Sequence, residues 1–341
     1  MALQAWMSLP ARPMRQPVVR WAVAAAVLAL GVSGCSTASR TPSAGASGPG
    51  QPSSSAAPTR TSALTSTQTT TAASPAPAPA GRGAVTKVLV FVEENHSLDE
   101  MKAQMPYTFS LAQRFGYATA YTAITHPSEP NYIAVTGGQT HAITNDDPPS
   151  ANPVHGTSVF GQAAASGRTA GVYADGMPAS CATSDGGNDY AVKHNPWAFF
   201  TGERGTCQRY DVPVGALGVA ITSGTLPNVG MVIPNLCHDA HDCSLRTADA
   251  WFKVWMTKVF QGPDWKSGHL AVVLTADEDD QSQANTVLTV VIHPSQKAHV
   301  VTTALTHYSL TRLYEDVAGA PYLFSAASAP SMTTAFGLPL R

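Results

Sequence analysis

Ser128 lies in the stretch His126-Pro127-Ser128-Glu129-Pro130-Asn131, just before a segment whose pattern predicts a helix. A serine there can be a helix cap. The same position is a ready anion site, because the first backbone N–H groups of a helix have no intrahelical partner. A serine hydroxyl is a weak nucleophile unless a base or a metal ion lowers its pKa. Two pairs of oxygen ligands could hold such an ion, Glu94-Asn95 and Asp277-Glu278. Carboxylates gathered in one place repel each other unless a cation neutralises them. Asp277 also opens the run Asp277 to Asp280, which by itself reads equally as a solvated acidic turn.

A third cluster is Asn235, His238, Asp239, His241 and Asp242, in PNLCHDAHDC. Two His and two Asp so close together could hold a second metal or donate a proton to a leaving oxygen. An exposed polar loop has the same composition. His307 in THYSL and His194 in KHNPW are each, alone, as consistent with packing as with chemistry.

These residues need a scaffold. Lys87 to Val92 and Leu270 to Leu274 are short apolar runs that read as buried parallel strands, and each ends in an acidic cluster. Thr169 to Tyr173, Gly230 to Ile233 and Val287 to Ile292 are further strands. Phe109 to Phe115, Asn131 to Val135, Thr247 to Phe260 and Thr306 to Val317 read as helices, the second stopped by Gly137-Gly138. Strands alternating with helices predict an α/β sandwich with a mostly parallel central sheet. In such folds ligands sit beyond the carboxyl ends of strands, where both acidic clusters fall.

The chain has 341 residues, and its first part differs from the rest. Arg12, Arg15 and Arg20 precede the apolar run Trp21 to Val32, too short for a comfortable permanent span, so residues 1–35 read as a signal peptide. Val32-Ser33-Gly34-Cys35 resembles a lipobox, so Cys35 is the expected lipidation site and anchor to a membrane. Residues 36–83 are almost entirely Ser, Thr, Ala, Pro and Gly and read as a disordered linker. Residues 84–341 then form one catalytic domain. Of the 20 Lys and Arg, six lie in residues 1–83, and none of the 22 Asp and Glu do; the domain is left with 14 basic against 22 acidic residues. That balance argues against a nucleic-acid partner and suits carboxylates concentrated for a cation. No protein partner is evident. The expected location is outside the cytoplasm, on the cell envelope or secreted. Cys181, Cys207, Cys237 and Cys243 remain, an even number in an exported chain. Proximity favours Cys181 with Cys207 and Cys237 with Cys243 among three possible connectivities.

In this order the pieces resemble the phosphoesterase family of bacterial secreted acid phosphatases and phospholipase C enzymes, within the alkaline-phosphatase-like superfamily. The stretches that carry the resemblance are VFVEENHS, THPSEPNYIAVTGGQTH, YAVKHNPWAFF, IPNLCHDAHDCS, TADEDD and THYSL, spanning about residues 88 to 320. The likeness is strongest to small secreted mycobacterial acid phosphatases. It implies an alkaline-phosphatase-like α/β/α sandwich, Ser128 as nucleophile, and Glu94, Asn95, Asp277 and Glu278 as metal ligands. It implies Asp239, His241 and His307 at the place of another metal site, or acting on phosphate or leaving group where a single metal is used, with His241 as the catalytic one of the three, and His194 as a catalytic residue near the substrate. Asn131 is expected to bind substrate. The implied activity is hydrolysis of phosphate monoesters, phosphoinositides among them, through a phosphoseryl intermediate with a divalent metal. Oxygen ligands suit Mg²⁺, Ca²⁺ or Mn²⁺, and added His ligands suit Zn²⁺. A phospholipase C type diesterase and a non-catalytic surface lipoprotein are the alternatives. Ala276 and His96 stand where relatives commonly carry Trp and Arg, and bear on substrate preference.

Overall fold

A computed structural model describes residues 83–340. The expected signal peptide, the lipidation site Cys35 and all of the linker except Gly83 lie outside the described residues. No helix among the described residues is long and apolar enough to cross a membrane.

The strands are β1 (Lys87–Glu93), β2 (Gly116–Ala118), β3 (Tyr121–Thr122), β4 (Ala170–Ala174), β5 (Asp211–Pro213), β6 (Val229–Ile233), β7 (Leu270–Ala276), β8 (Thr289–Ile292), β9 (His299–Val301) and β10 (Leu305–Thr306). The helices that matter below are α1 (Leu98–Gln104), α2 (Pro106–Arg114), α3 (Ser128–Gly137), α4 (Val159–Ala165), α5 (Arg204–Tyr210), α6 (Gly215–Ser223), α7 (Leu245–Val259), α8 (Pro263–Lys266) and α9 (His307–Ala318). Eight strands form one sheet in the order β5-β4-β6-β1-β7-β8-β2-β9, and β10 pairs with β3 in a small second sheet. Every pair in the large sheet is parallel except the two made by β8. The mostly parallel α/β fold read from the sequence is the one observed.

The central strands are apolar because both their faces are covered. All seven residues of β7 are buried, as in a parallel sheet with helices on each side. From β1, Phe91 meets Trp251 and Phe252 of α7 edge-on. From α9, the Tyr314 hydroxyl donates to the carbonyl of Gly230 in β6, 3.0 Å away. α3, α4 and α9 pack together as one group, and α1, α2 and α7 as another.

Two helices begin a full three residues earlier than their sequence suggests. α2 starts at Pro106 because Asp249 of α7 accepts the N–H groups of Tyr107 and Thr108, at 2.9 and 2.8 Å. This cap comes from another helix, so no local signal announces it. α3 starts at Ser128, with Pro130 inside its first turn, where the missing N–H costs nothing. It ends at Gly138, whose φ of 71° is left-handed, the conformation glycine adopts without strain.

Candidate active site

The site forms where β1 and β7 end side by side. They are parallel neighbours, and their register finishes with Glu93 opposite Ala276. The next residues, Glu94 and Asp277, therefore leave the sheet together. The neighbouring strand β6 leads into the loop that carries Asp239, and Glu94 N–H donates to the Asp239 carbonyl at 2.9 Å. Three chain crossings thus deliver three carboxylates to one place, at the carboxyl ends of adjacent strands.

Ser128 is buried, and its hydroxyl donates to Glu94 Oε1 at 2.6 Å. The N-cap of α3 is Pro127, and no side chain caps that end. Ser128 is therefore not a capping residue. Its oxygen is held against a carboxylate at the positive end of a ten-residue helix.

Glu94 is the hub. Oε1 also receives Asn95 Nδ2 at 3.2 Å and Lys193 Nζ at 3.5 Å. Oε2 lies 2.7 Å from His194 Nε2 and 3.5 Å from the Tyr132 hydroxyl. Burial works against the Glu94 charge, but His194, then Lys193 and Ser128, outweigh it and bring its pKa down to about 2. His194 stacks on Tyr132, with ring centres 5.0 Å apart, and its Nδ1 lies 3.2 Å from Asp239 Oδ2. Burial disfavours its charge too, yet Glu94 and Asp239 push its pKa up to about 10. Without a metal, His194 is an imidazolium between two carboxylates.

Asp277 Oδ1 accepts the N–H groups of Asn95 (3.0 Å) and Glu278 (2.7 Å). Asn95 adopts φ 59° to make that contact. Burial, then the charges of Glu94 and Glu278, push the Asp277 pKa well above the carboxylate range. Glu278 accepts from Asn131 Nδ2 at 3.0 Å, faces His126 Nδ1 at 3.2 Å, and is pushed up to about 7 by burial. The acidic run is not a solvated turn: Asp277, Glu278 and Asp279 are buried, and only Asp280 is exposed. Asp279 turns the chain by accepting the N–H groups of Gln281, Gln283 and Asn285.

Several of these donor atoms make no hydrogen bond. His194 Nε2, Asp239 Oδ2 and Asp277 Oδ2 are buried, and none makes a directed hydrogen bond, close as His194 lies to its neighbours. Ligand atoms of Glu94, His194 and Asp239 lie within 4.8 Å of one another. Burying polar atoms and like charges unpaired is costly, and a divalent cation removes both costs. The residues present fit such an ion, with carboxylates and one imidazole as donors. His194, read from the sequence as acting on substrate, belongs to this donor set.

Two residues expected at the site make hydrogen bonds that position the chain around it. Both ring nitrogens of His307 are occupied: Nε2 by the Asp277 carbonyl at 2.5 Å, and Nδ1 by the Tyr121 hydroxyl at 3.0 Å. Burial brings its pKa down to about 4. In this arrangement the His307 ring holds the Asp277 carbonyl and the Tyr121 hydroxyl. Asn131, expected to bind substrate, is fully buried. Its carbonyl takes the N–H groups of Ile124 and Thr125, and its amide donates to Thr125, Pro127 and Glu278. It fixes the chain leading to Ser128.

His241 stands at the mouth. Its ring centre is 6.2 Å from that of His194, and its Nδ1 pairs with Asp242 Oδ1 at 2.6 Å. Asp239 Oδ1 accepts the His241 N–H at 2.8 Å. The disulfide Cys237–Cys243 closes this loop, and Cys181–Cys207 ties α5 to the segment after β4. The sequence reading passed over Lys193, His126 and Tyr132. For Lys193 a signal existed, since it adjoins His194; for Tyr132 the helical spacing from Ser128 was the only clue.

The model of the Phosphoesterase family matches residues 101–317. A phosphatidylinositol-3-phosphatase of Mycobacterium tuberculosis is 31% identical over 256 residues, covering 73% of this chain and 82% of that protein. An acid phosphatase of Aspergillus fumigatus is 27% identical over 206 residues, 56% of this chain and 46% of that one. A phosphate-repressible acid phosphatase of Penicillium chrysogenum is 28% identical over 216 residues, 56% of this chain and 49% of that one. The chain thus spans about half the length of these fungal relatives. Among solved structures, a protein of the alkaline phosphatase superfamily from Vibrio parahaemolyticus superposes with TM-score 0.50 at 10% identity, covering 73% of this chain and 71% of that one. That likeness concerns the fold.

Proposed function

The chain belongs to the phosphoesterase family and is a phosphoric ester hydrolase, and from that premise we propose that it is a metal-dependent phosphomonoesterase with Ser128 as nucleophile. The observation that carries this reading is the Ser128 hydroxyl, bonded to Glu94 at the start of α3, beside buried donor atoms that make no hydrogen bond. Glu94, Asp239, Asp277 and His194 are the residues that would hold the metal, with Asn95 and Glu278 adjoining them. A divalent ion bound there supplies positive charge that lowers the serine pKa and offsets charge on phosphate.

The chain's own groups do the rest. The hydrogen bond to Glu94 fixes the hydroxyl and gives its proton an acceptor. Ser128 Oγ attacks phosphorus, the bond to the leaving oxygen breaks, and a phosphoseryl enzyme forms. The positive end of α3 favours the charge on the phosphoryl oxygens. His241, oriented by Asp242, gives its Nε2 proton to the leaving oxygen. Water then attacks phosphorus and gives a proton to His241, the phosphoseryl bond breaks, and the proton held at Glu94 returns to Ser128 Oγ. Uncatalysed monoester hydrolysis is among the slowest of reactions, with accelerations of up to ~10²¹, so positioning and charge carry most of the work.

The substrate class is phosphate monoesters, with phosphoinositide head groups included through the mycobacterial relative. The two disulfides suit an oxidising compartment, in keeping with the expected export. The test is an assay of a soluble aryl phosphate against a phosphatidylcholine analogue. Cleavage of the first supports the reading; cleavage of the diester alone makes the protein a phospholipase C type enzyme.

A further inference from the structure

Lys193 has no part in the chemistry above. Its ammonium lies 3.5 Å from Glu94 Oε1, the oxygen that accepts the Ser128 hydroxyl at 2.6 Å. The two distances confine it to within about 6 Å of the nucleophile. Nζ also lies 3.2 Å from Asp146 Oδ2, while Asp146 Oδ1 takes the N–H of Glu129, the second residue of α3. The cation is thus held beside the positive end of the helix that presents Ser128. Its side chain keeps 21% exposure, whereas that of Glu94 has none. Lys193 therefore stands at the mouth, where a phosphate must enter. Among the described residues it is the one Lys or Arg paired with a carboxylate of the site.

We propose that Lys193 determines specificity by reading the second negative charge of a phosphate monoester. The inference rests on the phosphomonoesterase reading. Near neutral pH a monoester carries close to two negative charges, its second pKa being about 6, and a diester carries one. The two carboxylates that face Lys193, Glu94 and Asp146, repel the additional charge. An ammonium at this place selectively offsets that repulsion, while the compact, rotatable head of lysine can leave Asp146 for a phosphate oxygen. A lysine that merely neutralised Glu94 would serve both ester classes alike.

The experiment measures kcat/KM for p-nitrophenyl phosphate and bis(p-nitrophenyl) phosphate in the full chain, as wild type, Lys193→Met and Lys193→Arg. Where diester turnover is too slow to time, the diester is used as a competitive inhibitor. Loss of a charge-assisted hydrogen bond lowers monoester turnover in Lys193→Met on the order of 10- to 100-fold. Diester turnover or binding falls only a few-fold, so the monoester preference collapses, and Lys193→Arg preserves it. Lys193→Gln, whose amide still reaches the two acids, carries the comparison should the Met variant not fold. Equal losses on both esters, or an unchanged preference, overturn the proposal. A wild-type chain inactive on the monoester overturns the functional reading instead.

Discussion

The Ser128 hydroxyl and the Glu94 carboxylate, 34 residues apart in the chain, meet at 2.6 Å. The contact joins the first residue of α3 to the residue that follows β1. Everything else at the site is arranged around this pair. Removing the hydroxyl should therefore stop the chemistry without disturbing the fold, because it caps nothing and fills little space. Ser128→Ala is expected to lower kcat by at least about 10³-fold on an aryl phosphate, with an unchanged circular dichroism spectrum and a melting point lower by only a few degrees for the lost bond to Glu94. Residual activity near that of wild type assigns the nucleophile elsewhere.

Asp277→Asn separates charge from shape. The amide oxygen can still accept the N–H groups of Asn95 and Glu278, but the anion is gone. In metal-free protein the Asp277 carboxyl is already pushed well above the carboxylate range. Chelated wild type and chelated variant should then melt within a few degrees of each other. Adding metal at about 100 times its Kd should stabilise the wild type by roughly 2.7 kcal/mol, a rise of several degrees, and leave the variant unmoved. Equal stabilisation of both proteins removes Asp277 from the ligand set.

His307→Ala should damage the site from behind. It strands the Asp277 carbonyl and the Tyr121 hydroxyl, both buried, at a cost of about 1–3 kcal/mol each. The expected outcome is a lower melting point together with weaker metal binding, read by calorimetry and chelator competition. Lost metal binding at an unchanged melting point would make His307 a ligand after all.

How much of this was legible in the sequence depended on whether a residue's partners are local. Glu94 and Asp277 were readable because an apolar run identifies a buried strand and the acid follows it directly. The fold followed from the same alternation of strands and helices. The positioning contacts of Asn131 and His307 were not legible, because their hydrogen bonds reach Glu278, Tyr121 and the Asp277 carbonyl, far away in the chain. A conspicuous polar residue and a structural one look the same until those partners are known. The start of α2 was hidden for the same reason, its cap being Asp249 on another helix. Lys193 was hidden differently: its one signal was its place beside His194, and a single lysine carries no pattern of its own.

The buried acids away from the metal ligands set a pH dependence. Burial pushes Glu129 and Glu315 each up to about 8, from an ordinary value of 4.5. Between those pH values the folded chain keeps protons that the unfolded chain has released. Stability is fully present below about pH 4.5 and falls as the pH rises through about 8. Urea unfolding of metal-free protein at pH 4.5 and pH 8 should show this loss. Glu315→Gln should flatten it, because its amide can still accept the Leu323 N–H. Stability that rises over this interval contradicts the burial argument.

We propose that the carboxylates around Ser128 are gathered for a metal ion. Metal content of the purified protein, with aryl phosphate hydrolysis followed before chelation, after it and after metal is returned, tests that claim most directly. The expected result is bound divalent metal, activity that disappears with chelation, and activity that returns with the ion. A metal-free protein that is fully active in the presence of chelator would contradict it.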